Sequence, residues 1–254
     1  MMKISRISGT MLAVVLTVGV LSNLPLMAEA PASPLAAAQA KLHGKQFKSV
    51  TVTLDNGIAT LAGTVNLYAV KADAEKRVRK AAGVKAVRDH IDVGGAVLAD
   101  QVLEDKLGRK LAYDRVGYGN VFNAIGLRVS GGVVYLTGHA RTPVDKDSAL
   151  ELVAYAPGVK DVVDAIEVDP VSSMDDQTRA ALVRAVYGFP SLNRYAIDPA
   201  KPIRISVQNG HVELFGTVDS EMDRNVANIE ANGVPGVFSV KNYLQVAGKI
   251  TERP

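Results

Sequence analysis

The chain has 254 residues, 48% hydrophobic and 22% charged, a balance that excludes intrinsic disorder and leaves room for one to three domains. Aromatic residues make up only 5% and Trp is absent, so the cores must be small and aliphatic. The absence of cysteine excludes disulfides, a thiol nucleophile and the lipid-anchor cysteine of a bacterial lipoprotein, and the formal net charge of +3 is too weak for a nucleic-acid binder.

The first element is a leader. Lys3 and Arg6 precede an uncharged run from Gly9 to Ala28 with an apolar heart at Met11 to Leu21, interrupted by Asn23 and Pro25. Ala28-Glu29-Ala30 then supplies a small-x-small cleavage pattern. This is the anatomy of a cleavable signal peptide over residues 1–30, so the remaining chain is expected free in the periplasm of a Gram-negative bacterium. A protein exported without disulfides must stabilise its domains by burial alone.

Beyond the leader one order of elements recurs three times. Ser33-Pro34 reads as a cap with Pro at the first helical position, opening a short helix to about His43. Val50, Val52 and Leu54 alternate before Asn56-Gly57, a two-residue hairpin signal, and Ala59, Leu61 and Val65 line one face of the returning strand. Val70, Ala74, Val78 and Ala81 keep helical spacing up to Gly83-Val84, and Val84, Val87, Ile91 and Val93 form a last strand. The second copy has a helix through Leu103, Leu107 and Leu111 and a hairpin at Gly131-Gly132 with Val134, Leu136 and Ala140. Its second helix runs through Ala149, Leu152, Val153 and Ala156, and its last strand follows Gly158-Val159. The third opens at Asp175-Asp176, acidic residues suited to a helix N-terminus, and continues through Leu182, Val183 and Val186. Its hairpin turns at Asn209-Gly210 before Val212, Leu214 and Val218. A helix follows with Val226, Ala227, Ile229 and Ala231, and then a strand after Gly236-Val237.

The internal spacing is identical in each copy. Gly63, Gly138 and Gly216 lie two residues past the central leucine, and the Gly-Val pair starts 20 residues later each time. A glycine inside a strand marks a bulge or a close backbone approach, expected here from a crossing helix. The strand–helix–strand crossover must be right-handed and parallel. The expected fold is therefore α+β: three small αββαβ domains at residues 31–95, 96–170 and 171–248. Each is a mixed three-stranded sheet with two helices on one face, and residues 249–254 form a tail.

The turn phrase and the Gly-Val opening of a Val-x-x-Val-x-[Asp/Asn] strand resemble the BON domain family. The matching residues are Asn56-Gly57, Leu61, Gly63, Gly83-Val84, Val87 and Asp89; Gly131-Gly132, Leu136, Gly138, Gly158-Val159, Val162 and Asp164; and Asn209-Gly210, Leu214, Gly216, Gly236-Val237, Val240 and Asn242. The resemblance implies a non-catalytic module of the cell envelope, associated with phospholipid binding and with osmotic stress. Three copies replace the commoner two, and the lipid anchor of some members is missing.

Charge separates the copies. Residues 31–93 carry 10 basic and 5 acidic groups, residues 94–169 carry 8 and 11, and residues 170–254 carry 9 of each. The basic excess concentrates at Lys71, Lys76, Arg77, Arg79, Lys80, Lys85 and Arg88, opposed only by Asp73, Glu75 and, at the strand end, Asp89. This stretch reads either as a solvated helix face or as a contact for anionic phospholipid. The connections between first helix and first strand carry Tyr113, Tyr118 and Phe122, then Tyr187, Phe189 and Tyr195, which read as membrane-interface rings or as lids on small cores. His43, His90, His139 and His211 show no metal spacing, and no phosphate loop is present, so no metal, cofactor or catalysis is expected. The glycines Gly57, Gly63, Gly83, Gly132, Gly138, Gly158, Gly210, Gly216 and Gly236 belong to the fold. Two functions remain open: an anionic membrane surface as partner, or a scaffold for envelope proteins.

Overall fold

A computed structural model describes residues 33–95, 97–115 and 119–248. The leader and the tail lie outside the described residues, as does Tyr118. Helix, strand, strand, helix, strand recurs three times. The first repeat holds α1 (Pro34–Ala40), β1 (Val50–Asp55), β2 (Ile58–Val65), α2 (Tyr68–Arg79) and β3 (Ala86–Val93). The second holds α3 (Asp100–Tyr113), β4 (Ala124–Ser130), β5 (Val133–Ala140), α4 (Pro143–Ala154) and β6 (Asp161–Val168). The third holds α5 (Ser173–Gly188), β7 (Arg204–Gln208), β8 (His211–Val218), α6 (Glu221–Asn232) and β9 (Ser239–Val246).

Each sheet has its second strand in the centre, paired antiparallel to the first and parallel to the third. The period of two puts Ala59, Leu61 and Val65 on the helix-covered face of the first sheet, with Val134, Leu136 and Ala140 and then Val212, Leu214 and Val218 in the same places, all buried. Each repeat closes its own core: Ala74 and Val78 of α2, Ala149 and Val153 of α4, and Ala227 and Ala231 of α6 are buried against these strands.

The strand glycines answer to a different neighbour than expected. A Cβ on Gly63 would lie 1.9 Å from the Ser49 carbonyl oxygen, and one on Gly138 would lie 2.1 Å from that of Ala124. On Gly216 it would lie 2.7 Å from that of Pro202. The intruder is the entry backbone of the antiparallel partner strand, and no helix crosses there. All three glycines have positive φ (133°, 90° and 132°), which side chains rarely adopt.

Asp89 also differs from its reading as a strand-end group. It stands inside β3, where its Oδ1 accepts the Ile91 N–H at 2.8 Å. Asp164 does the same for Ile166 at 3.0 Å, and Asn242 for Leu244 at 3.1 Å.

The repeats touch in two different ways. Tyr68 of α2 packs on the core of the second repeat, and α2 lies against α4. Between the second and third repeats Val121 packs on the core of the third, and the rest of the contact is polar. Asp169, just past β6, accepts from Arg179 of α5 at 3.0 Å and from Gln208 of β7 at 2.9 Å. Arg141 reaches Asp176 at 3.1 Å, and Tyr113 donates to Asp198 at 2.9 Å.

Candidate functional site

The best-defined charged feature lies where α2 ends, the β1–β2 hairpin turns and α1 begins. Two cations of α2 are neutralised along the helix. Arg77 Nε donates to Asp73 Oδ2 at 2.8 Å, and Arg79 pairs with Glu75, both at the i,i+4 spacing that faces side chains together. The Arg77 guanidinium also sits 5.4 Å from the centre of the buried Phe47 ring. That contact draws the 3₁₀ turn Lys45–Phe47 onto α2, bringing Lys45 and Lys48 alongside. Lys76, Lys80, Lys85, Lys45 and Lys48 are exposed and make no ion pair within 4.0 Å among the described residues.

The seven cations read from the sequence do not form one cluster. Lys71 is half-buried, and its charge acts on Asp89, 18 residues on. Burial raises the Asp89 carboxyl above the usual carboxylate range, and Lys71 together with the Ile91 N–H works against that rise. The same spacing gives the Lys146–Asp164 pair at 2.8 Å, and in the third repeat Asn242 donates to the Arg224 carbonyl. Lys71 therefore stands at the position from which the second and third repeats tie their second helix to the third strand. Arg88 pairs in register with Thr60, on the sheet face away from the helices. Lys76, Arg77 and Arg79 lie on α2 with Lys80 capping its end, and the stem of Lys85 lies over Gly57 at the hairpin end.

The aromatic connections are mostly internal. Tyr187 is buried, its hydroxyl donates to the Ile203 carbonyl at 2.6 Å, and burial pushes its phenol far above the ordinary value. Tyr195 is buried too. Its hydroxyl donates to Asp223 Oδ2 at 3.0 Å and accepts the Asp219 N–H at 2.7 Å, so it fastens the start of α6. Phe189 is half-buried against the same core. Phe122 is half-buried beneath the Arg141 guanidinium, 5.8 Å from the ring centre. Tyr113 is exposed and spends its hydroxyl on Asp198.

Sequence reasoning missed one recurring contact. The Asp100 carboxylate accepts the Gly131 and Gly132 N–H groups at 2.7 and 2.9 Å, and Asp175 accepts those of Asn209 and Gly210, both at 2.9 Å. An Asp in the first turn of the first helix thus clamps the hairpin turn in repeats two and three. The available signal was an Asp opening each of those helices, 31 to 35 residues ahead of a two-residue turn.

A polar cleft of about 290 Å³ opens between repeats two and three, lined by His139, Ser206, Gln208, His211, Glu213 and Lys241. No group of three or more His, Asp or Glu among the described residues is placed to hold a metal ion, and no described helix is long and apolar enough to cross a membrane.

Three αββαβ units, each built around its own sheet and helices, with glycines committed to backbone geometry, define a tandem-repeat α+β protein. The BON domain family model matches residues 35–95, 99–170 and 175–248, and the chain belongs to that family. Membership supports a non-catalytic, envelope-associated role. Among solved structures, one described as CdsD, a structural protein of the type III secretion system of Chlamydia trachomatis, is 17% identical with a TM-score of 0.24, over 83% of this chain and 90% of that one. A second, the C-terminal domain of CdsD, is 18% identical with a TM-score of 0.24, over 86% of this chain and 99% of that one. Likeness at that level says nothing about ligand or partner. No curated protein matches the chain.

Proposed function

We propose that the protein is exported to the periplasm by a cleaved signal peptide and docks on anionic phospholipid through the basic end of its first repeat, supporting envelope integrity under osmotic or related stress. One observation carries this reading. Asp73 and Glu75 are both consumed by Arg77 and Arg79, which leaves Lys76, Lys80 and Lys85 exposed and without an ion pair among the described residues, beside Lys45 and Lys48. Each cation held at an anionic membrane surface gains about 1 kcal/mol, so three or four give roughly a 10²- to 10³-fold preference over a neutral surface.

Flotation with phosphatidylglycerol-containing vesicles tests it at low and high salt, with phosphatidylcholine vesicles as reference. Salt-sensitive binding that is lost in the Lys76→Glu, Lys80→Glu, Lys85→Glu variant, with circular dichroism unchanged, is the expected result. Equal binding by the variant removes the site.

A scaffold for envelope proteins is the second reading. It is favoured by α6, where the position of Lys76 is taken by Ile229, which is exposed together with Met222. Failure to float at low salt supports it over the first.

A further inference from the structure

All three hairpins turn through the same left-handed pair of residues: φ is 50° and 84° at Asn56-Gly57, 62° and 81° at Gly131-Gly132, and 51° and 75° at Asn209-Gly210. That geometry points two adjacent N–H groups outward to the helix side, with no partner inside the turn. In repeats two and three those N–H groups hold a carboxylate, Asp100 or Asp175, with one oxygen on each N–H. The second repeat adds a cation: a Cβ on Gly132 would lie 3.1 Å from Cδ of Lys160. The molecule therefore shows a two-amide cradle beside a lysine with its anion in place.

The first repeat has the same parts and no anion of its own. A Cβ on Gly57 would lie 3.0 Å from Cδ of Lys85, which stands where Lys160 stands. No Asp or Glu occurs between Glu29 and Asp55, so α1 has no carboxylate to offer. Asp55, next to the turn, is on the outer sheet face with Thr51 and Thr53. In the third repeat the lysine position is filled by Phe238, so among the described residues the first repeat alone combines a lysine with a cradle that holds no carboxylate.

We infer that Asn56 N–H, Gly57 N–H and the Lys85 ammonium form a binding site for a phosphate oxyanion, the place occupied internally by Asp100 in the second repeat. The inference rests on the anionic-surface reading for its biological role and names where on the basic end a phosphate is gripped rather than merely attracted. Two N–H groups in fixed geometry hold oxyanion oxygens directionally, whereas Lys76 and Lys80 act as diffuse charge.

The test is amide NMR of the intact mature protein during titration with inorganic phosphate and, separately, with monomeric dihexanoyl-phosphatidylglycerol. Saturable shifts are expected at Asn56 and Gly57, with Gly131, Gly132, Asn209 and Gly210 silent. Response to the lipid alone assigns a headgroup, response to inorganic phosphate alone assigns a free phosphate, and response to both assigns the shared chemistry. Lys85→Glu should weaken the response at least tenfold. Asp100→Ala should open the second cradle, so that Gly131 and Gly132 begin to respond. Silence at Asn56 and Gly57 with both probes overturns the site, as does continued silence at Gly131 and Gly132 in Asp100→Ala. Either result can coexist with normal vesicle flotation, so failure here is distinct from failure of the membrane reading.

Discussion

Substituting Gly138 by Ala would put a methyl carbon 2.1 Å from the Ala124 carbonyl oxygen, a contact between two backbones with no flexible side chain to move. The residue would also have to hold φ at 90°, which costs an L-residue about 1–2 kcal/mol. Relieving the overlap requires β4 and β5 to part by roughly an ångström where Ile125 pairs with Gly138, with the loss of one or two ladder hydrogen bonds at about 1 kcal/mol each. The expected total is about 2–4 kcal/mol, or a fall of some 8–30 °C in Tm for a unit of this size. Gly131→Ala is the control. It also requires a positive φ, 62°, but nothing lies within 4 Å, so only the conformational cost of about 1 kcal/mol applies. Gly216→Ala, with its nearest backbone oxygen at 2.7 Å, should fall between the two. Urea denaturation followed by far-ultraviolet circular dichroism gives the ranking. Equal losses for Gly138→Ala and Gly131→Ala would show that partner-strand approach is not what fixes these glycines.

Arg179→Met should cost about 3–5 kcal/mol, because it strands the fully buried Asp169 carboxylate. It should also split denaturation into separate steps for the second and third repeats, and a single undiminished transition would contradict the latch. Two carboxyls should respond to acid in opposite senses. Burial pushes Asp223 up, but the hydroxyls of Ser220 and Tyr195 and the charge of Arg194 hold it below the usual range. Its stabilisation is complete above the unfolded value near 3.9 and lost as pH falls through the depressed folded value. The Asp223→Asn protein should thus melt lower at pH 7 yet lose less between about pH 4 and pH 2. Asp89 is raised, so its charged form is the strained one, and Asp89→Asn should leave Tm at pH 7 unchanged or higher. A clear fall there would overturn the burial argument.

The strands, hairpins and second helices were legible because their signals are local. A left-handed turn needs Asn-Gly or Gly-Gly, and a period of two or 3.6 shows within ten residues. What stayed hidden is contact between distant groups. Nothing near Asp175 announces that its carboxylate closes on Asn209 and Gly210, and Asp169 gives no local sign that it meets Arg179 and Gln208. The strand glycines advertised a close approach but not its source, since a helix and a partner strand leave the same mark. The basic stretch was visible as composition, whereas the diversion of Lys71 to Asp89 and of Arg88 to the outer sheet face depends on which way each side chain leaves the backbone.

The residue that follows each third strand donates its N–H back to the end of the central strand, from Gly94 to Val65, Asp169 to Ala140 and Ala247 to Val218. Only at Asp169 does this backbone anchor carry a side chain that grips the next repeat. The junction between repeats two and three is therefore measured in residues: an insertion between Asp169 and Ser172 would pull the carboxylate out of step with α5. Among the described residues the junction after Gly94-Gly95 has no such ruler, and the repeats meet there through Tyr68 and α2. A change in linker length is therefore expected to be tolerated at the first junction and to break the Asp169 latch at the second.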